Sequence, residues 1–130
     1  LLGICAIIAL LGFDSACLAA EPSEPPVSTG SQFDEANGEL LYRGVCQGCH
    51  MAQGQGVSTG AGAYPSLRAN LRLSAAAYPI YNILHGKNGM PAVGSMMTDA
   101  QVADVVNYVR THFDNHYTDA VSAGDVKQLR

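Results

Sequence analysis

Five residues carry most of the chemistry legible in this chain: Cys46-Gln47-Gly48-Cys49-His50. Two thiols at i and i+3 share one face of a helical turn. Both can therefore add to the two vinyl groups on one edge of a porphyrin, which is the spacing of covalent c-type haem attachment. His50 follows directly and offers an imidazole nitrogen to the iron. Gly48 keeps the segment between the thiols free of a bulky side chain. Two other uses of a C-x-x-C pair are weaker. A redox disulfide wants a βαβ setting, and no strand pattern surrounds the pair. A zinc site wants a second pair of ligands, and no other cysteine lies downstream of residue 17.

The remaining cysteines belong to a different part of the chain. Leu1 to Phe13 is an apolar run, shorter than the roughly 20 residues that span a bilayer. It is expected to be the hydrophobic part of a secretory signal peptide over 1–20, truncated at its start. Cys17 and Ala19 supply the small residues of a cleavage site after Ala19 or Ala20. A retained membrane anchor is the alternative. A lipoprotein fits less well, because Asp14 stands where an aliphatic residue is wanted. Cleavage removes Cys5 and Cys17, so the four cysteines do not make a disulfide framework. Residues 21–32 are rich in Pro, Ser and Gly and read as a disordered linker. Residues 33–130 then form one small domain with no membrane span. Such a domain buries a thin core, and an attached haem can complete it. The net charge of −4 and scattered basic residues disfavour nucleic-acid binding.

Helices must position the haem motif. Asp34 or Ser31 is expected to cap a first helix running into Cys46, with Leu40, Leu41, Tyr42 and Val45 on its apolar face. Gly38 inside it marks either a close crossing or a break. The glycine-rich stretch 54–62 reads as a flexible loop. Ser74 is expected to cap a middle helix ending at Gly86, with Pro79 at its start or kinking it. The last major helix has the clearest signals. Thr98-Asp99-Ala100-Gln101 is a capping box, with Met97 and Val102 placed as a staple. Val102, Val105, Val106 and Val109 follow at helical spacing. Valines are poor helix formers, so packing must hold this helix. A short helix capped at Ser122 is expected in the tail.

Together these residues, from about Phe33 to Phe113, resemble a class I c-type cytochrome, close to the cytochrome subunits that serve periplasmic dehydrogenases. The resemblance implies an all-α bundle of three to five helices around one covalent haem c, with terminal helices crossing near Gly38, Tyr42, Val105 and Tyr108. It implies that Met90, in Gly89-Met90-Pro91, is the second axial ligand. Met96 and Met97 compete for that role, as do His85, His112 and His116. It also implies that the Pro65 carbonyl, in Tyr64-Pro65-Ser66-Leu67, accepts a hydrogen bond from His50. Arg68, Arg72 and Lys87 are candidates to meet the haem propionates. The function implied is a periplasmic one-electron carrier, not an enzyme. A dehydrogenase would be its donor and the respiratory chain its acceptor. The alternatives are a haem enzyme or sensor with a displaceable sixth ligand, and a haem-bearing subunit that anchors a dehydrogenase.

Overall fold

The computed structural model describes residues 30–60 and 63–130. The expected signal peptide, and the linker up to residue 29, lie outside the described residues. The described chain is all-α, with isolated bridges but no strand. No described helix is long and apolar enough to cross a membrane.

The first rod is built in three parts: α1 (Gly38–Leu41), a π-helical turn at Tyr42–Cys46, and α2 (Gln47–His50). Its cap is Asn37, not Asp34 or Ser31: the Asn37 side chain accepts from the Leu40 amide at 3.0 Å. The expected helix start fails because residues 33–36 have another partner. The Gln101 side chain donates to the carbonyls of Phe33 (2.7 Å) and Glu35 (3.3 Å), so that segment is fastened to the start of α4. Gly38 is therefore the first helical residue rather than an interior one. It marks a close crossing all the same, because a Cβ there would run into the Asp104 carbonyl and the Tyr108 side chain.

A 3₁₀ turn at Leu71–Ser74 leads to α3 (Ala77–His85). Ser74 does not cap α3; its hydroxyl donates to the Leu71 carbonyl at 2.7 Å. Pro79 sits in the first turn of α3, where a missing N–H removes no intrahelical bond. The helix ends at Gly86, whose φ of 73° suits glycine. α4 (Asp99–Thr111) carries the complete Thr98/Gln101 capping box, and Met97 and Val102 are both buried in the core. Its four valines pack with Leu41, Tyr42, Ile80 and Ile83. α5 (Ala123–Leu129) has a second capping box, Ser122/Asp125, and lays Val126 on α4.

Candidate functional site

The end of the first rod places the haem motif. The wide π turn brings Cys46 to the wall of an interior cavity, and α2 brings His50 to the same wall. The Glu35 carboxylate packs against Gly44 in this turn, with Oε1 2.7 Å from where a Cβ would sit. The rod stops sharply after His50, at Met51, which has φ 66° and ψ 162°. That backbone region is costly for any residue but glycine.

The loop after Met51 folds back under His50. Gly56 donates its amide to the His50 carbonyl, and Val57 pairs with Tyr64. The Gly54 carbonyl accepts from the Leu67 amide at 2.7 Å and from the Ser66 hydroxyl at 3.2 Å. The described part of this glycine-rich stretch is thus a hydrogen-bonded loop rather than the loose one expected. Its outcome is the contact His50 Nδ1 to Pro65 O, 2.9 Å. A carbonyl only accepts, so Nδ1 carries a proton, and in the neutral ring that places the lone pair on Nε2.

The cavity has a volume of about 310 Å3. Cys46, His50 and Pro65 form one part of its wall; Leu67, Leu73, Ile83, Met90, Val105 and Val109 make the wall mostly apolar; Asn70, Arg72, Tyr78 and Asn82 add polar groups. Cys49 lies one turn beyond Cys46 and is partly buried. Burial, with the Cys49 thiol beside it, pushes the free Cys46 thiol up to about 12. Met90 is held by a tight reversal in which Lys87 and Met90 exchange backbone hydrogen bonds at 3.0 and 2.9 Å. Asn88, at φ 52°, makes the turn.

The competing ligands are placed elsewhere. Met97 is a core residue, and Met96 is exposed. His85 reaches the Leu129 carbonyl (3.0 Å), His112 stacks on Tyr108 (4.0 Å), and His116 is exposed. Among the three cationic candidates, Arg68 is committed to Asp114 in a 2.5 Å ion pair and is not at the cavity. Arg72 lines the cavity and reaches the Tyr78 hydroxyl at 3.5 Å, and the Lys87 ammonium lies 5.0 Å from the Tyr78 ring centre. The Arg72 hydrogen bond, helped by Asn82 and by the Lys87 charge, holds the Tyr78 phenol below its usual range.

Sequence reasoning missed the polar frame behind the site. Asn115, almost fully buried, donates to the carbonyls of Leu67, Val109 and His112 and accepts from the Asn70 amide. Arg110, fully buried, reaches Leu73 and Ser74. One signal was available: Arg110 continues the Val102, Val106 stripe at i+4.

The residues fit a porphyrin. The cavity is mostly apolar, a thiol and an imidazole whose Nδ1 is taken by Pro65 line it, and a thioether lies on its wall. An all-α shell closed around such a cavity by a C-x-x-C-H segment is the architecture of a c-type cytochrome. Comparison with known proteins agrees. The family model described as cytochrome c oxidase, cbb3-type, subunit III matches residues 33–109. Cytochrome c6 of Parathermosynechococcus lividus is 36% identical over 76 residues, which cover 58% of this chain and 87% of that protein. Cytochrome c6 of Synechococcus elongatus gives the same figures. The fructose dehydrogenase cytochrome subunit of Gluconobacter japonicus is 36% identical over 110 residues, covering 72% of this chain and 22% of that longer protein. The chain belongs to the class I mono-haem c-type cytochromes. It carries one covalently bound haem c and is an electron-transfer protein rather than an enzyme.

Proposed function

We propose that this cytochrome is a periplasmic one-electron carrier that takes electrons from a dehydrogenase and passes them to the respiratory chain. Cys46 and Cys49 make the thioether links, and His50 and Met90 are the two axial ligands. When bound, the haem supplies a ferric/ferrous couple. The observation that carries the ligand assignment is that His50, its Nδ1 occupied by the Pro65 carbonyl, and Met90 line one cavity.

The residues of the chain do the rest. The Pro65 carbonyl fixes the His50 tautomer and ring orientation and makes the imidazole a better donor. The Met90 thioether is a soft ligand that favours ferrous iron and raises the reduction potential. Leu67, Leu73, Ile83, Val105 and Val109 exclude water from the cavity. Arg72, on the cavity wall, would be the cation to meet the cofactor's carboxylates, with Lys87 near it across the Tyr78 ring system as a second charge. Two protein ligands leave no open position for substrate or O₂, which separates a carrier from a haem enzyme. The dehydrogenase donor is supported by the Gluconobacter japonicus relative, itself a dehydrogenase cytochrome subunit. Export is supported by the apolar leader-like run at 1–13.

Optical spectra of the purified holoprotein test this reading. Low-spin bands, a weak ferric absorption at the red end that vanishes in Met90→Ala, and no ready carbon monoxide binding by the wild type are expected. High-spin iron in the wild type would exclude the His50/Met90 pair. A stable heterodimer with a dehydrogenase on purification would favour an anchoring subunit over a diffusing carrier.

A further inference from the structure

The apolar stripe of α4 ends in a charge. Val102 and Val106 are fully buried, and Arg110, one turn further on, is equally buried. A buried guanidinium is tolerated only when its donors are satisfied and its charge is balanced. Arg110 has its donors satisfied and its charge partly offset. Nε donates to the Leu73 carbonyl (2.9 Å) and Nη2 to that of Ser74 (3.3 Å). Nη2 also pairs with Asp119 Oδ1 (2.6 Å), and Nη1 donates to the Asp119 backbone carbonyl. The Tyr117 ring lies 5.9 Å from the guanidinium carbon.

Two features tie this cluster to the cavity. Leu73, whose carbonyl Arg110 holds, is a wall residue, and Val109, the preceding residue of α4, is another. The cation therefore stands directly behind the wall. Its counter-charge does not share that shelter. The Arg110 side chain is 0% exposed and the Asp119 side chain 73% exposed. Water screens the carboxylate far more than the guanidinium. The arginine also anchors a segment beyond the family match, since Asp119 lies in the tail after residue 109.

A ferric haem carries one more positive charge than a ferrous one. A fixed, poorly screened cation nearby penalises the ferric form. We propose that Arg110 is a positioning and potential-setting residue: it pins the Leu73–Ser74 wall and holds a positive charge that favours the reduced state, while Asp119 in the tail partly offsets that charge. This rests on the electron-carrier reading but needs only that the haem is bound, whichever residue is its sixth ligand.

The test is spectroelectrochemistry on the holoprotein at neutral pH, with optical spectra and thermal melts of the same samples. Arg110→Gln is expected to shift the potential downward, and Arg110→Lys to restore most of the shift. Asp119→Asn keeps an oxygen acceptor for Nη2 but loses the negative charge, and is expected to shift the potential upward. A purely structural brace would lower the melting temperature of either variant without shifts of opposite sign. Potentials that move together, or that do not move, overturn the proposal. Should Arg110→Gln fail to accumulate, an unchanged or lowered potential in the surface variant Asp119→Asn overturns it alone. The spectra report separately whether the His50/Met90 ligation holds.

Discussion

The proposed ligand role of His50 depends on what its other nitrogen does. The donor bond to Pro65 O selects the neutral tautomer whose lone pair is on Nε2, and it exists only because the loop returns the Pro65 carbonyl to within 2.9 Å. Gly56 makes that return possible. Its φ is 65°, and a Cβ there would collide with the Tyr64 carbonyl and the Pro65–Ser66 peptide. Gly56→Ala should therefore cost more than the ordinary penalty for alanine at positive φ, in all about 1–3 kcal/mol. The peptide it displaces is the one that fixes the His50 ring. The expected result is a lower melting temperature of the holoprotein together with loss or displacement of the slowly exchanging His50 Nδ1–H resonance. An unchanged resonance and melting temperature would show that the loop accommodates the methyl group and that Gly56 is not what holds the carbonyl.

At the scale of elements, the first rod and α4 form the frame, and their contact is made by absence of side chain. Gly38 lies against the Asp104 carbonyl, and the Tyr42 ring packs at a tilt against those of Tyr108 (5.6 Å) and Phe113 (4.7 Å). Gly38→Ala would gain helix propensity of about 1 kcal/mol in an isolated helix. Here it should instead destabilise by about 1–3 kcal/mol, the usual cost of overpacking. Denaturant titration checks the sign, and a stabilised variant would refute a close crossing at this position. The elements that were legible in the sequence were those whose signals are local. The α4 capping box and staple, the Ser122 cap and the glycine stop of α3 each lie within a few residues of the boundary they set. The cap at Asn37 was not legible, because the segment before it is fixed by Gln101, more than 60 residues away. The haem motif was legible because covalent chemistry demands fixed spacing. The Arg110 and Asn115 networks were not, because most of their partners are backbone groups, which leave no trace in residue identity.

For the whole molecule, the cofactor's space decides stability. The cavity of about 310 Å3 is walled by the π turn, α2, the loop through Leu67, the 3₁₀ turn, α3, the Met90 reversal and α4. Every element that forms the frame therefore has a share in it. With the cavity left unfilled, its apolar lining forgoes packing contacts that the rest of so small a core cannot replace. Domains of this size are stable by only about 5–15 kcal/mol in total. Without its haem the domain should be marginal at best, and the alternative to an open void is collapse of the wall that Arg110 and Asn115 maintain. α4 is the element most exposed to that loss, since its valines supply little intrinsic helicity and depend on packing. A Cys46→Ala/Cys49→Ala double variant, which cannot form thioethers, should yield a chain with reduced helical circular dichroism and no cooperative thermal transition. Its porphyrin, where any is retained, should extract into acidified acetone. The wild type should melt cooperatively and keep its haem under the same extraction. A double variant that unfolds cooperatively, free of haem, at the wild-type temperature would show that the protein core suffices alone and that the cavity is not a structural debt filled by the cofactor.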